Sequence, residues 1–123
     1  MRLGLAVCAA LLVPAAASAQ SMNTETFYQE ATALQRKGVM AVFSKDVKVL
    51  VKEGQASGDV VRRMRQATLK AGGKPRYCPL PGSPRKMGTE EFMTRLGAIP
   101  RVDRQKIDMA EAMNRILARK FPC

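Results

Sequence analysis

The sequence predicts an all-α fold, a small bundle of four to five helices with one disulfide and a Pro-rich loop. Three observations carry that expectation. Apolar residues recur at helical spacing in successive segments. Capping residues stand at the starts of those segments and glycine or proline at their ends. Just two cysteines remain once an amino-terminal leader is set aside.

Composition sets the scale. The chain has 123 residues, a formal net charge of +11, 46% apolar and 25% charged residues, and no His or Trp. That length holds one domain at most, hiding roughly 60 to 70% of its unfolded surface. So apolar a chain is not intrinsically disordered. Without His, neither a Ser-His-Asp triad nor a His-ligated zinc site can be built.

Residues 1–19 read as a secretory signal. Met1-Arg2 supplies a positive charge, Leu3 to Val13 is apolar, Pro14 breaks the run, and Ala17-Ser18-Ala19 is an A-x-A exit. Cleavage falls between Ala19 and Gln20, leaving residues 20–123 as a single helical domain in the periplasm. A membrane anchor fits less well, since about 11 apolar residues span roughly 16 Å of about 30 Å of hydrocarbon. A lipoprotein reading at Cys8 meets the branched Val7 where a small residue is expected. The mature chain is expected to have no integral membrane segment.

Export leaves Cys78 and Cys123. An even pair in an oxidising compartment argues for one internal disulfide, the alternatives being free thiols or an intermolecular bridge. On the chain-entropy model such a bond stabilises the fold by roughly 4 kcal/mol.

The helices follow in order. Asn23-Thr24 opens the first, whose stripe is Phe27, Ala31 and Leu34. Lys37-Gly38 is one possible end; the apolar run through Phe43 is another. Ser44 caps the next segment, with Asp46 in its first turn and Val47, Leu50 and Val51 on one face. A strand over 47–51 half-fits the pattern but has no partner or hairpin turn nearby. From Asp59 to Ala71, Val60, Val61, Met64, Ala67, Thr68 and Ala71 form an apolar arc opposite Arg62, Arg63, Arg65, Gln66 and Lys70. Whether 45–71 is one helix or two, divided near Gly54 and Gly58, stays open. Gly72-Gly73 supplies a left-handed C-cap. A loop with Pro75, Pro79, Pro81 and Pro84 follows. Thr89 caps a helix lined by Phe92, Met93, Leu96 and Ile99 and stopped by Pro100. Asp108 and Glu111 make an acidic capping box for a last helix, with Ala110, Met113, Ile116 and Leu117 on its apolar face.

Little here points to catalysis. Cys78 has no His to activate it. Glu90-Glu91 and Asp108 with Glu111 sit at expected helix starts, where carboxylates meet the dipole in any case. Gly72-Gly73-Lys74 lacks the spacing of a phosphate loop. The expectation is a non-enzyme without cofactor or metal. Its basic charge fits an acidic protein, an anionic envelope surface or nucleic acid, the last disfavoured by export and by few aromatics. Most of the four Phe are expected in the core. Arg62, Arg63 and Arg65 read as a solvated face. Arg76, Tyr77, Arg85, Lys86 and Met87, anchor types on a stiffened loop, are the candidate partner-binding residues, with packing under the loop as the alternative for Tyr77 and Met87.

The carboxy-terminal half also reads Tyr77-Cys78-Pro79, a helix ending Ala98-Ile99-Pro100, then an amphipathic helix closing on Lys120-Phe121-Pro122-Cys123. This resembles the Rap/Tai family of type VI secretion immunity proteins, in which a Cys-Pro segment precedes a helix, a proline-punctuated turn and a final helix with an aromatic-Pro-Cys tail. The first half departs from it, since members often carry further cysteines there beside a Gly-Tyr segment. The resemblance implies Cys78 and Cys123 as the bridging pair. It also implies an exported binding protein that blocks a peptidoglycan-cleaving amidase effector, as a 1:1 complex or a 2:2 complex through a homodimer. Two alternatives stand beside it: a chaperone-like periplasmic stress protein, and a binder of anionic envelope surfaces.

Overall fold

The amino-terminal end of the domain is stitched to the start of its last helix by backbone hydrogen bonds, and the bundle forms around that tie. The computed structural model describes residues 21–82 and 87–123. The signal segment with Cys8, the Ala19–Gln20 cleavage point, and loop residues Arg85 and Lys86 lie outside the described residues. Asn23 and Asp108 form an isolated antiparallel bridge, with Thr24 N–H donating to Ile107 C=O at 3.0 Å and Met109 N–H to Met22 C=O at 2.8 Å.

The fold is all-α. Helix α1 runs Thr24–Arg36, a 3-10 segment Gly38–Phe43, α2 Lys45–Lys70, α3 Thr89–Ala98, α4 Arg101–Arg104 and α5 Met109–Lys120. Asn23 caps α1 through a bond from Thr26 N–H at 3.2 Å. Gly38, at φ +65°, turns the chain out of α1, so the helix does not run on to Phe43. Ser44 Oγ accepts from Asp46 N–H at 3.1 Å and starts α2.

Residues 45–70 form one helix, and the strand reading of 47–51 falls away. Each interior glycine costs about 1 kcal/mol relative to alanine. Packing along α5 offsets that, and both ends of α2 are capped. The far end is a full Schellman motif: Gly73 N–H reaches Thr68 C=O, Gly72 N–H reaches Leu69 C=O, and Gly72 sits at φ +75°.

The buried line of α2 is Leu50, Ser57 and Val61, while Met64, Ala67 and Ala71 are exposed, contrary to the expected arc. At 26 residues α2 is about 39 Å long against about 18 Å for the 12 residues of α5, so its last turns outrun the cover. Within α5 the buried positions are Met109, Ala112, Asn114 and Ile116, with Met113 and Leu117 only half-buried. Asp108 does cap α5, accepting from Glu111 N–H at 2.8 Å. The return half of the capping box is missing, because the Glu111 carboxylate faces Arg76 and Arg115. Thr89 is the first residue of α3 and not its cap; Gly88 holds that position without a side-chain bond.

One apolar cluster joins Phe27, Leu34, Ala41, Leu50, Leu96, Ile99, Met109, Ala112 and Ile116. Phe27 meets Phe92 edge-to-face at 6.0 Å, a favoured aromatic geometry. Against this core sits a buried ion pair. Arg104 Nε donates to Glu25 Oε2 at 2.6 Å, and Nη1 donates to the carbonyls of Ile99 at 2.6 Å and Gly97 at 3.2 Å. The Tyr28 ring lies 4.2 Å from the guanidinium carbon.

Breaking such a pair leaves a charge uncompensated in the interior. Arg104→Leu is expected to lower the unfolding free energy in urea by about 3 kcal/mol. Arg104→Lys should recover little of it, since an ammonium does not reproduce the planar fork. The Arg104 hydrogen bond holds the Glu25 carboxyl below its ordinary value of 4.5, against the opposing effect of burial. Hydrogen bonds from Lys120 and from Arg76 lower Glu91 and Glu111 in the same sense. Carboxylates depressed on folding contribute stability above their unfolded pKa and lose it as pH falls through the folded one. Thermal stability should therefore hold above about pH 5 and decline steadily below about pH 4, with a shallower acid limb in Glu25→Gln.

Candidate binding surfaces

The loop after α2 was the sequence's candidate surface, and the structure ties most of it down. Arg76 forks onto Glu111, with Nη1 to Oε2 at 2.6 Å and Nη2 to Oε1 at 2.8 Å. This bidentate geometry fixes both direction and register. Tyr77 is buried, and its carbonyl accepts from Arg65 Nε at 3.0 Å while the Arg65 guanidinium lies 5.5 Å from the ring centre. Arg65 therefore does not belong to a solvated face. Arg62 does, pairing on the surface with Asp59 at 3.0 Å, and Arg63 is exposed as well. Cys78 is bonded to Cys123, with Cα atoms 4.8 Å apart, and its N–H donates to Phe121 C=O at 2.8 Å. Met87 packs partly buried against the core. Of the described loop candidates, only Arg76 presents its polar end at the surface.

The carboxylates noted in the sequence are supports. Glu91 is held by Lys120 at 2.6 and 2.8 Å and by Arg95 at 3.2 Å. Glu111 carries Arg76 and Arg115. Such pairs keep both carboxyls ionised, which suits anchoring more than proton donation near neutral pH.

A run of exposed apolar side chains between α1 and α2 was not anticipated. In the 3-10 segment only Ala41 turns inward. Val39, Met40, Val42 and Phe43 are 81, 77, 65 and 83% exposed. Three residues per turn gives this outcome: one position per turn meets the core, and its neighbours point away. Phe43 is thus no core residue, whereas Phe27 is buried in the core and Phe92 packs against it. Exposed Arg36 and Lys37 precede this corner and Lys45 and Lys48 follow it. A single exposed apolar side chain is ordinary, whereas a contiguous group marks an interaction surface. Among the described residues no helix is long and apolar enough to cross a membrane.

Comparison of the chain with protein-family models, with curated proteins and with solved structures finds no match in any of the three.

Because the bridge joins the end of the α2 exit to the last residue, its removal should loosen both. Cys78→Ser with Cys123→Ser is expected to cost about 4 kcal/mol of stability. Hydrogen–deuterium exchange should then rise first at residues 74–78 and 119–122, before the core of α5.

Proposed function

We propose that this protein is a non-catalytic exported inhibitor, an immunity protein that docks on a periplasmic peptidoglycan-cleaving amidase effector and blocks its substrate cleft. The observation that carries this reading is the apolar corner Val39–Phe43. Four large apolar side chains stand in solvent on a short 3-10 segment that begins at Gly38, at φ +65°, and ends at the Ser44 cap. Phe and Met are among the residue types enriched in protein interfaces, so Met40 and Phe43 are the anchors of this corner. Preorganisation lowers the ordering entropy that binding must overcome. The basic residues on both sides of the corner complement an acidic rim and raise the association rate. Inhibition of this type needs no reacting group: a plug excludes the substrate while the disulfide-closed bundle holds the plug in place.

The carboxy-terminal resemblance to the Rap/Tai proteins supports the choice of partner, and the Cys78–Cys123 bond agrees with the pairing that it implies. The partner class rests on that resemblance; the docking surface rests on the corner alone.

Cells producing in their periplasm any peptidoglycan-cleaving amidase effector found encoded beside this gene should survive when the protein is co-expressed. Phe43→Asp, at a site exposed enough to leave the fold intact, should abolish survival and weaken binding of the purified pair by about a hundredfold or more. The same protein should not suppress aggregation of unfolded clients, the property of the chaperone-like alternative. Absence of protection, or full protection by Phe43→Asp, refutes the proposal.

A further inference from the structure

Beside the carboxy-terminal ends of α3 and α5 lies an open cleft of about 360 Å³. Arg76, Arg95, Arg115 and Arg119 line it, over an apolar floor that includes Ala98, Ile99 and Ile116. Asp103 is the only carboxylate among its lining residues. We propose that this cleft binds a polycarboxylate with a carbon backbone, the chemistry of an acidic peptide segment.

Helix electrostatics account for part of the cluster. Arg95 and Arg119 occupy the last turns of α3 and α5, where one cation meets the negative end of each dipole. That need is met by one charge per helix, and Lys120 already stands in the last turn of α5. Gathering four guanidinium groups around one cavity goes beyond it.

The neighbouring carboxylates orient the arginines without neutralising the site. Glu111 holds Arg76, Asp103 and Glu111 hold Arg115, and Glu91 holds Arg95. Arg119 makes no ion pair among the described residues. With Lys120 on Glu91, five cations meet three carboxylates, which leaves excess positive charge at the cleft. Each guanidinium has five N–H donors and a bidentate pair uses two, so the tethered forks still have donors for a ligand. Holding them in place beforehand lowers the ordering entropy of binding.

Size and floor select the ligand. The volume lies at the lower end of the range for small-molecule sites and exceeds what one inorganic oxyanion fills. Apolar Ala98, Ile99 and Ile116 suit methylene groups between charged ends, and guanidinium forks match carboxylates.

The test is an amide NMR titration of the oxidised chain from residue 20 to 123, with tetraglutamate, tetraglutamine and inorganic phosphate as separate probes. Tetraglutamate should shift the amides of Ala98, Ile116 and Arg119 saturably, tetraglutamine should not, and phosphate should bind about tenfold more weakly or less. Arg119→Gln removes no ion pair and should weaken tetraglutamate about tenfold while leaving the rest of the spectrum unchanged. Shifts concentrated at Arg62 and Arg63 on α2, equal affinity in Arg119→Gln, or phosphate binding as tightly as tetraglutamate would each overturn the proposal.

Discussion

The junction of α1, α3 and α4 is held together by a buried ion pair, Arg104 with Glu25. Arg104 is only 7% exposed and Glu25 8%, and removing both ions from water is unfavourable by several kcal/mol per ion unless their bonds are replaced. The replacements come from two separate stretches of chain: the Glu25 carboxylate and the face of Tyr28 on α1, and the carbonyls of Gly97 and Ile99 at the end of α3. Those carbonyls belong to the group that every helix end leaves without an internal partner. The arginine therefore serves as the cap of α3 while it neutralises α1. Pro100 stops α3 and caps the brief α4, which sets Arg104 beside those carbonyls. Close approach of α1 and α3 here is tight, for a Cβ on Gly97 would stand 2.8 Å from the Tyr28 hydroxyl.

The loop after α2 is secured differently. Where α2 outruns the bundle, the returning loop is fastened by a covalent bond, a bidentate ion pair and the Arg65–Tyr77 contact. A small domain with one modest apolar cluster gains from such staples, since its core alone supplies limited stability. The same fastening withdraws Tyr77 from the surface. Among the described residues, two features stand out at the surface: the apolar corner between α1 and α2, and the arginine-lined cleft between α3 and α5. They differ in chemistry, one suited to insertion into a pocket and the other to receiving charge. Neither requires a reacting group.

The helical periods, the Asn23, Ser44 and Asp108 caps, the Gly72 terminator and the disulfide were legible in the sequence because each depends on residues close in the chain or on a count of cysteines. Other features were not. That residues 45–70 continue through Gly54 and Gly58 depends on what packs alongside, and a Cβ at either glycine would meet nothing within 4 Å. The Arg104–Glu25 pair spans 79 positions and joins two residue types that usually lie in solvent, so no local pattern announces it. The α4 turn was missed because four residues show no periodicity.

By itself, then, the sequence determined an all-helical chain, its caps and its covalent closure, since backbone propensity, capping and cysteine pairing act through short range or simple arithmetic. Only the tertiary structure decided which side chains remain outside. Val39, Met40, Val42 and Phe43 carry the composition of a core segment, yet they are exposed because the chain leaves α1 at Gly38 and offers only Ala41 to the interior. Tyr77 has the composition of a binding anchor, yet it is buried because the bridge draws the loop onto the bundle. Burial is a property of where neighbouring elements end, and that is settled by packing between distant segments and not by the pattern within any one of them.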